Sequence, residues 1–413
     1  MLGLSTRFRA LKHRNFQLFI AGQLVSLIGT WMQTTAQQWL VYRLTGSVAL
    51  LAVFAFASQV PMLVLAWMGG YVGDRYDRHR GVIVTQSCSM VLAFLLAGLT
   101  LAHVVNKWHL IVIAFLVGIV NAFDVPIRQS FFVHMVGKED LPNAIALNSS
   151  VFNGARVIGP AVAGFAIALV GEGWCFFLNG VSFVAVLVAL LMMRIAPEQR
   201  ERADESPVRS FVQGFRFAMA DVPIRSALLL LCALSFFGLQ YSAFLPFYAR
   251  DILHSGARSL GLLMSAAGVG AMLGALQFAA RTQYHGWAKW IAATCTVSAV
   301  GLIVFSRASA FWLCAVVLFI VGFAATSQMA ATNTLIQERV PDQMRSRLMA
   351  VYATMFMGVQ PLGALLAGGL VRHVGVPRTL LAFGVLVLTA SLVFVWRVAM
   401  KAGNTTEAAT VSG

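Results

Sequence analysis

Residues 69–81 read "GGYVGDRYDRHRG". Five of the seven residues from Asp74 to Arg80 are charged, and His79 adds a sixth polar group. The chain as a whole is 11% charged and 59% hydrophobic, so this stretch stands apart. It is flanked by the apolar runs 47–73 and 82–103, and a similar run follows at 226–248. Each can cross a hydrocarbon layer about 30 Å thick, which takes roughly 20 helical residues. In lipid the backbone must satisfy its own hydrogen bonds, so such runs are helices. The short alternating segments of a membrane barrel are missing. The charged stretch is therefore a loop between two membrane-spanning helices.

Working outward, the same pattern gives twelve spans, near 16–41, 47–72, 82–103, 108–130, 144–170, 174–193, 226–249, 259–280, 288–306, 310–334, 346–371 and 378–399. Arg7, Arg9, Lys12 and Arg14 ahead of an apolar run imitate a signal peptide, but no small-residue cleavage site follows. This run is taken as the first span. The net charge of +15 would suit a nucleic-acid partner, but its distribution points elsewhere. With alternate loops assigned to opposite sides, 22 of the 30 Lys and Arg residues fall on the side of the termini and 7 on the other; Arg156 lies inside a span. The positive-inside rule then places both termini in the cytoplasm. The partner implied is a lipid bilayer. Cys88, Cys175, Cys232, Cys295 and Cys314 all fall in apolar spans, with no metal-ligand or disulfide spacing. Neither a cofactor nor a metal is expected.

Shifted by 204 residues, the chain aligns with itself without a gap. Phe152 falls on Phe356, Gly154 on Gly358, Gly159 on Gly363, Gly164 on Gly368 and Trp108 on Trp312. The expected fold is all-α and integral to the membrane, with twelve helices in two parallel-repeat six-helix bundles. Proteins built this way bind substrate between the halves and alternate access. The expected domains are an N-terminal bundle at 1–194, a linker at 195–225, a C-terminal bundle at 226–400 and a disordered cytoplasmic tail at 401–413. Within the linker, Val208, Phe211, Val212, Phe215, Ala218 and Met219 recur at helical spacing. They form an amphipathic helix, which lies on the membrane surface or packs on the protein.

The loop Gly70-x-x-Gly73-Asp74-Arg75-x-Asp77-Arg78-His79-Arg80 resembles the signature loop of the major facilitator superfamily, G-x-x-x-D-R-x-G-R-[KR]. Asp77 replaces the usual glycine and His79 the usual Lys or Arg. "DRYDR", "NSSVFNGARVIGPAVAG" and "GEGWCFFLNGVSF" are similar to the branch of enterobactin exporters and related small-molecule and drug exporters. The resemblance covers nearly the whole chain and implies a multi-pass protein of a bacterial inner membrane. It also implies that Asp74 latches onto the start of span 11. From the residues themselves, Asp124 and Arg128 stand at i and i+4 near the end of span 4, and Arg78 is expected to pair with Asp124. Gly70, Asp74, Arg75, Arg78, Asp124 and Arg128 are thus read as a conformational latch. A static anchor that keeps the loop in water is the alternative. At offset 204, Asp74, Arg75 and Arg78 become Phe278, Ala279 and Thr282, so the cluster occurs once.

In span 5, Gly154, Gly159 and Gly164 permit close helix contact, and Pro160 removes a backbone hydrogen bond. The resemblance makes Gly159-Pro160 an exporter-type motif; plain small-residue packing is the other reading. Arg156 lies about 18 Å into that span. An intramembrane charge should face a cavity or a partner, so it is either a substrate ligand or a structural pair. Thr30 and Gln33 belong to a polar stripe of span 1 with Gln23, Ser26 and Gln37, expected to line the central cavity. Asn153, Tyr241, Gln328 and Gln360 are further cavity candidates. Asp124 is the one acid well inside a span and the candidate proton site.

These features give a secondary transporter, not an enzyme: no catalytic Ser/His/Asp set, HExxH or P-loop is present. The expected activity is export of a small amphipathic molecule, a drug or siderophore, by a monomer in exchange for protons. An importer or uniporter of the same fold and a non-transporting receptor are the alternatives.

Overall fold

The computed structural model describes residues 8–195, 207–279 and 286–411, with the side chains of residues 67, 70, 73, 74, 207–210, 279, 342, 343 and 397–411 outside the description. The helices are α1 (Arg14–Thr45), α2 (Val48–Arg75), α3 (Arg78–Leu101), α4 and α5 (the two arms of Lys107–Val170) and α6 (Glu172–Leu191). They continue with α7 (Pro207–Ala220), α8 (Val222–Ile252), α9 (Ala257–Ala279), α10 (Trp287–Phe305), α11 (Phe311–Arg339), α12 (Met344–Val374) and α13 (Val376–Val411).

Ten helices among the described residues are long and apolar enough to cross a membrane. Lys107–Val170 counts once among them but, at 64 residues, would extend about 96 Å as one rod. It breaks into α4 and α5 at Gly137, whose φ of 74° suits a residue without a Cβ. Two helices remain: α7 is short, at 14 residues, and α1 is less apolar because its stripe is polar. Gln23, Ser26, Gln33 and Gln37 are buried on it, while Leu24 and Val25 are exposed. That inversion of the soluble pattern recurs on α3, where Val84, Val91 and Leu95 are exposed around buried Thr85 and Gln86. Such surfaces suit hydrocarbon rather than water.

The chain divides into two compact units, residues 1–204 with 245–265, and residues 205–244 with 266–413. The division is not a clean six plus six. The segment 245–265, from the end of α8 into α9, goes with the first unit because it is bonded to α1 and α5. In the first unit, Leu40, Phe54, Leu96, Leu110 and Phe176 form one apolar cluster, and Phe16, Phe19, Phe131 and Leu190 another. In the second unit, α7 packs on the protein. Ala218 is fully buried, and Gln213 accepts a hydrogen bond from Arg347 at the start of α12. Of the two placements open for this helix, the protein-packed one is found, although Val212 and Phe215 remain exposed. The tail expected to be disordered from 401 continues α13 as helix to Val411. No proline interrupts that stretch.

Candidate functional site

Asp124 of α4 is 3% exposed. Its Oδ1 accepts from the Thr85 hydroxyl at 2.6 Å and from the Gln86 side-chain amide at 2.9 Å. Its Oδ2 faces Arg128 Nε at 3.2 Å. Four residues of α3 and α4 thus form one polar knot, with the carboxylate compensated from both sides. A buried ion needs such compensation, because desolvation otherwise costs several kcal/mol.

Asp124 and Arg128 of the knot line a cavity of about 90 Å³ within the first unit. Gln23, Ser26, Thr30 and Gln33 of α1, Gln86 and Ser89 of α3, Asn121 of α4 and Asn179 of α6 also line it. Thr30 and Asn121 are exposed and mark its rim, whereas Gln23, Gln33 and Asn179 are buried. Asn179 donates its amide to Gln33 Oε1 at 2.8 Å. Gln23 Nε2 and Gln86 Oε1 have no hydrogen-bond partner among the described residues. The polar stripe of α1 therefore serves the interior of the first unit, and Thr30 alone of that stripe is exposed.

The expected Arg78–Asp124 pair does not form. Arg78 Nη1 lies 2.6 Å from His134 Nε2, ten residues beyond Asp124 on α4, or about 15 Å along the helix. Asp124 is too deep in the unit for a side chain that starts at the first turn of α3. Arg75 is exposed, with its guanidinium 4.3 Å from the Tyr71 ring centre. The side chains of Gly70 and Asp74 lie outside the described residues. Asp77 caps α3 by accepting from Arg80 N at 3.0 Å. His79, which departs from the signature, stacks on Phe131 and lies 2.9 Å from the Leu190 carbonyl.

Gly159 and Gly164 are contact points, and Gly154 is not. A Cβ on Gly159 would come within 2.5 Å of Trp31 Cβ, and one on Gly164 within 2.8 Å of the Ala257 carbonyl of α9. Nothing lies within 4 Å of a Cβ built on Gly154. Pro160 is buried, and its carbonyl meets Gly261 of α9 so closely that only a glycine fits there. Ser265 completes the seat by donating to the Val157 carbonyl at 2.6 Å. Span 5 thus uses its motif to hold the first half of α9.

Arg156 has neither a carboxylate nor a carbonyl partner among the described residues. Its guanidinium lies 5.8 Å from the centre of the Trp31 ring, which in turn meets Phe152 edge-on. Asn153 donates back to the Ser149 carbonyl on its own helix at 2.8 Å. The other cavity candidates belong to the second unit. Tyr241 is 5% exposed and stands edge-on to Phe305. The Gln360 backbone carbonyl accepts from Gln240 Nε2 at 3.1 Å. Gln328 is fully buried, with neither side-chain polar atom partnered among the described residues.

One group in the first unit was not expected from sequence. The Tyr42 hydroxyl donates to Asp251, and Arg250 lies 5.5 Å from the Tyr42 ring centre and donates to its carbonyl at 3.4 Å. Beside it, Arg43 Nε donates to Glu172 at 2.7 Å. The adjacent Arg250-Asp251 charges at the end of an apolar run were the available signal.

Helices that bury polar groups and expose apolar ones define an integral membrane protein. The solved structures agree in fold. The nucleoside transporter NupG superposes with a TM-score of 0.70 at 12% identity, covering 92% of this chain and 98% of that one. The D-xylose–proton symporter gives 0.69 at 14%, with 92% and 96% covered. Residues 5–412 match the family described as "Transmembrane secretion effector", and the chain belongs to that family of the major facilitator superfamily. Over 381 residues it is 24% identical to the staphyloferrin A transporter of Staphylococcus aureus (strain NCTC 8325 / PS 47), covering 91% of this chain and 94% of the relative. It is 25% identical to the multidrug efflux pump Tap of Mycolicibacterium fortuitum, with 92% and 94% covered. It is 24% identical to the enterobactin exporter EntS of Shigella boydii serotype 4 (strain Sb227), with 87% and 85% covered. The chain is thus a multi-pass membrane transporter of a small molecule, not an enzyme.

Proposed function

We propose that this transporter exports a small amphipathic molecule, a drug or siderophore, in exchange for protons. It acts as a monomer in a bacterial inner membrane, with both termini in the cytoplasm. The relatives named as an efflux pump and an exporter support the direction, and the excess of Lys and Arg on one side supports the orientation. In this reading Gly70, Asp74, Arg75 and Arg78 form a cytoplasmic gate, and the Tyr42–Asp251 contact closes the opposite end.

The observation that carries the coupling is the setting of Asp124. The described residues include two buried carboxylates, Asp124 and Glu172. Glu172 is held by Arg43 at the helix ends. Asp124 lines a cavity of the first unit and has a cation of its own, Arg128. A proton on Asp124 cancels the carboxylate charge and frees Arg128, so the knot has two electrostatic states.

The test is transport in membrane vesicles with a panel of drugs and siderophores, with and without a proton-gradient uncoupler. The wild type is expected to export in an uncoupler-sensitive way. Asp124→Asn is expected to lose substrate-dependent proton movement. An Asp124→Asn variant that moves protons like the wild type removes Asp124 from the coupling.

A further inference from the structure

We infer that the small molecule carried by this chain is an aromatic anion, its negative group held by Arg156 and its ring by Trp31 and Phe152. This rests on the amphipathic substrate of the proposed function and adds the charge of its polar end. It requires neither a direction of transport nor proton coupling.

Arg156 is a fixed charge inside a span. It lies in α5 about 21 Å before the helix ends at Val170. A guanidinium keeps its proton in a protein. The two buried carboxylates described in this unit are taken by other cations, Asp124 by Arg128 and Glu172 by Arg43. Among the described residues Arg156 meets the Trp31 ring, 5.8 Å away, and no carboxylate or carbonyl. That distance is at the outer edge of cation–π attraction, which reaches about 6 Å. An uncompensated charge in a span does not face hydrocarbon, so the guanidinium looks onto a water-filled path.

Its neighbours set the shape of the missing partner. Trp31 and Phe152 stand edge-on with their ring centres 5.8 Å apart. Phe152, one turn before Arg156 on α5, is exposed, while Arg156 and Trp31 are half-buried. Trp31 is pinned where α1 crosses α5, because a Cβ on Gly159 would come within 2.5 Å of Trp31 Cβ. The cation is thus presented beside two aromatic surfaces. A carboxylate or similar planar anion takes up the paired donors of a guanidinium. A ring attached to that anion then packs against Phe152 and Trp31.

The second unit has the same crossing without the seat. At offset 204, Trp31, Phe152 and Arg156 become Ser235, Phe356 and Gln360. Ser235 donates to the Phe356 carbonyl, and the Gln360 carbonyl accepts from Gln240 Nε2. These positions are neutral, and hydrogen bonds within the unit close them.

The experiment measures binding to the full chain in lipid nanodiscs by titration calorimetry, with empty nanodiscs as the blank. The probes are 2-naphthoate, the neutral 2-naphthamide, the cation (2-naphthylmethyl)trimethylammonium, and decahydro-2-naphthoate, an anion without an aromatic ring. The wild type is expected to bind 2-naphthoate about tenfold tighter than the amide or the cation, the scale of one charge-assisted contact. It should bind the saturated anion several-fold more weakly than 2-naphthoate. Arg156→Gln should weaken 2-naphthoate about tenfold and leave the amide within about threefold. Phe152→Leu, at an exposed position, should abolish the preference for 2-naphthoate over the saturated anion, so a test remains if the charge variant does not fold.

A wild type that binds the amide or the cation as tightly as 2-naphthoate, or binds none of the four, overturns the inference. So does an Arg156→Gln variant that weakens 2-naphthoate and the amide alike, or a Phe152→Leu variant that keeps the preference for the aromatic anion. Selective 2-naphthoate binding by a chain that exports nothing from vesicles removes the export reading and leaves the anion seat. Export of cationic drugs without 2-naphthoate binding removes the seat and leaves the export reading.

Discussion

The two repeats carry the same buried positions with opposite chemistry. At offset 204, Asp124 falls on Gln328 and Arg128 on Thr332. In the first repeat the two charges hold each other, and the carboxylate also accepts from Thr85 and Gln86. In the second repeat Gln328 and Thr332 are fully buried, yet neither polar side chain has a hydrogen-bond partner among the described residues. Ser298 and Ser327, on α10 and α11, share that condition. The first repeat thus holds a buried carboxylate compensated by Arg128, Thr85 and Gln86. The second holds neutral groups that no proton can switch. The asymmetry seen in the loop at 74–80, whose counterpart carries a single charge, Arg281, extends into the helices. Both buried carboxylates among the described residues, Asp124 and Glu172, lie in the first repeat.

The largest effect that would break this comparison comes from removing one charge. Arg128→Gln leaves Asp124 buried and uncompensated, and should cost about 3–5 kcal/mol of stability. Thermal unfolding in nanodiscs should show a strong loss, largely recovered in Asp124→Asn/Arg128→Gln. No recovery would mean that the two charges are not coupled.

The corresponding change in the second repeat should run the other way. Gln328→Leu removes an amide that has no partner, and an unsatisfied buried polar group costs roughly 1–3 kcal/mol. The variant should therefore unfold at the same temperature as the wild type or higher. A clear destabilisation would show that Gln328 has a partner in the membrane.

The smallest expected effect on stability is at Arg156. Its stacking on Trp31 is worth about 0.5–2 kcal/mol. If Arg156 is structural, Arg156→Gln should lower stability by that amount and leave substrate affinity within about threefold. A tenfold loss of affinity in a variant that melts normally would make it a substrate ligand.

What the sequence revealed follows physical lines. Apolar runs and Lys/Arg counts are local quantities, so spans could be read directly, even for α1 with its polar stripe. The ungapped offset made the repeat visible. Gly159 and Gly164 were recognisable as contact points because small residues at helical spacing have few other uses, but nothing along the chain marked Gly154 as lacking a neighbour. Side-chain partners were harder. Asp124 and Arg128 share one helix, so spacing alone placed them together. Arg78 had to be paired across two helices, and depth in the bundle, which the sequence does not encode locally, sent it to His134 instead. Tyr42 and Asp251 lie 209 positions apart, and no local pattern joins them. The same holds for residues 245–265, whose place with the first unit depends on how closely α9 can approach Pro160.

The most direct test of the central claim counts the protons released when substrate binds to the wild type, Asp124→Asn and Gln328→Leu in weakly buffered nanodiscs. The account predicts the same proton release in the wild type and in Gln328→Leu, and none in Asp124→Asn. Equal release from Asp124→Asn and the wild type would contradict it.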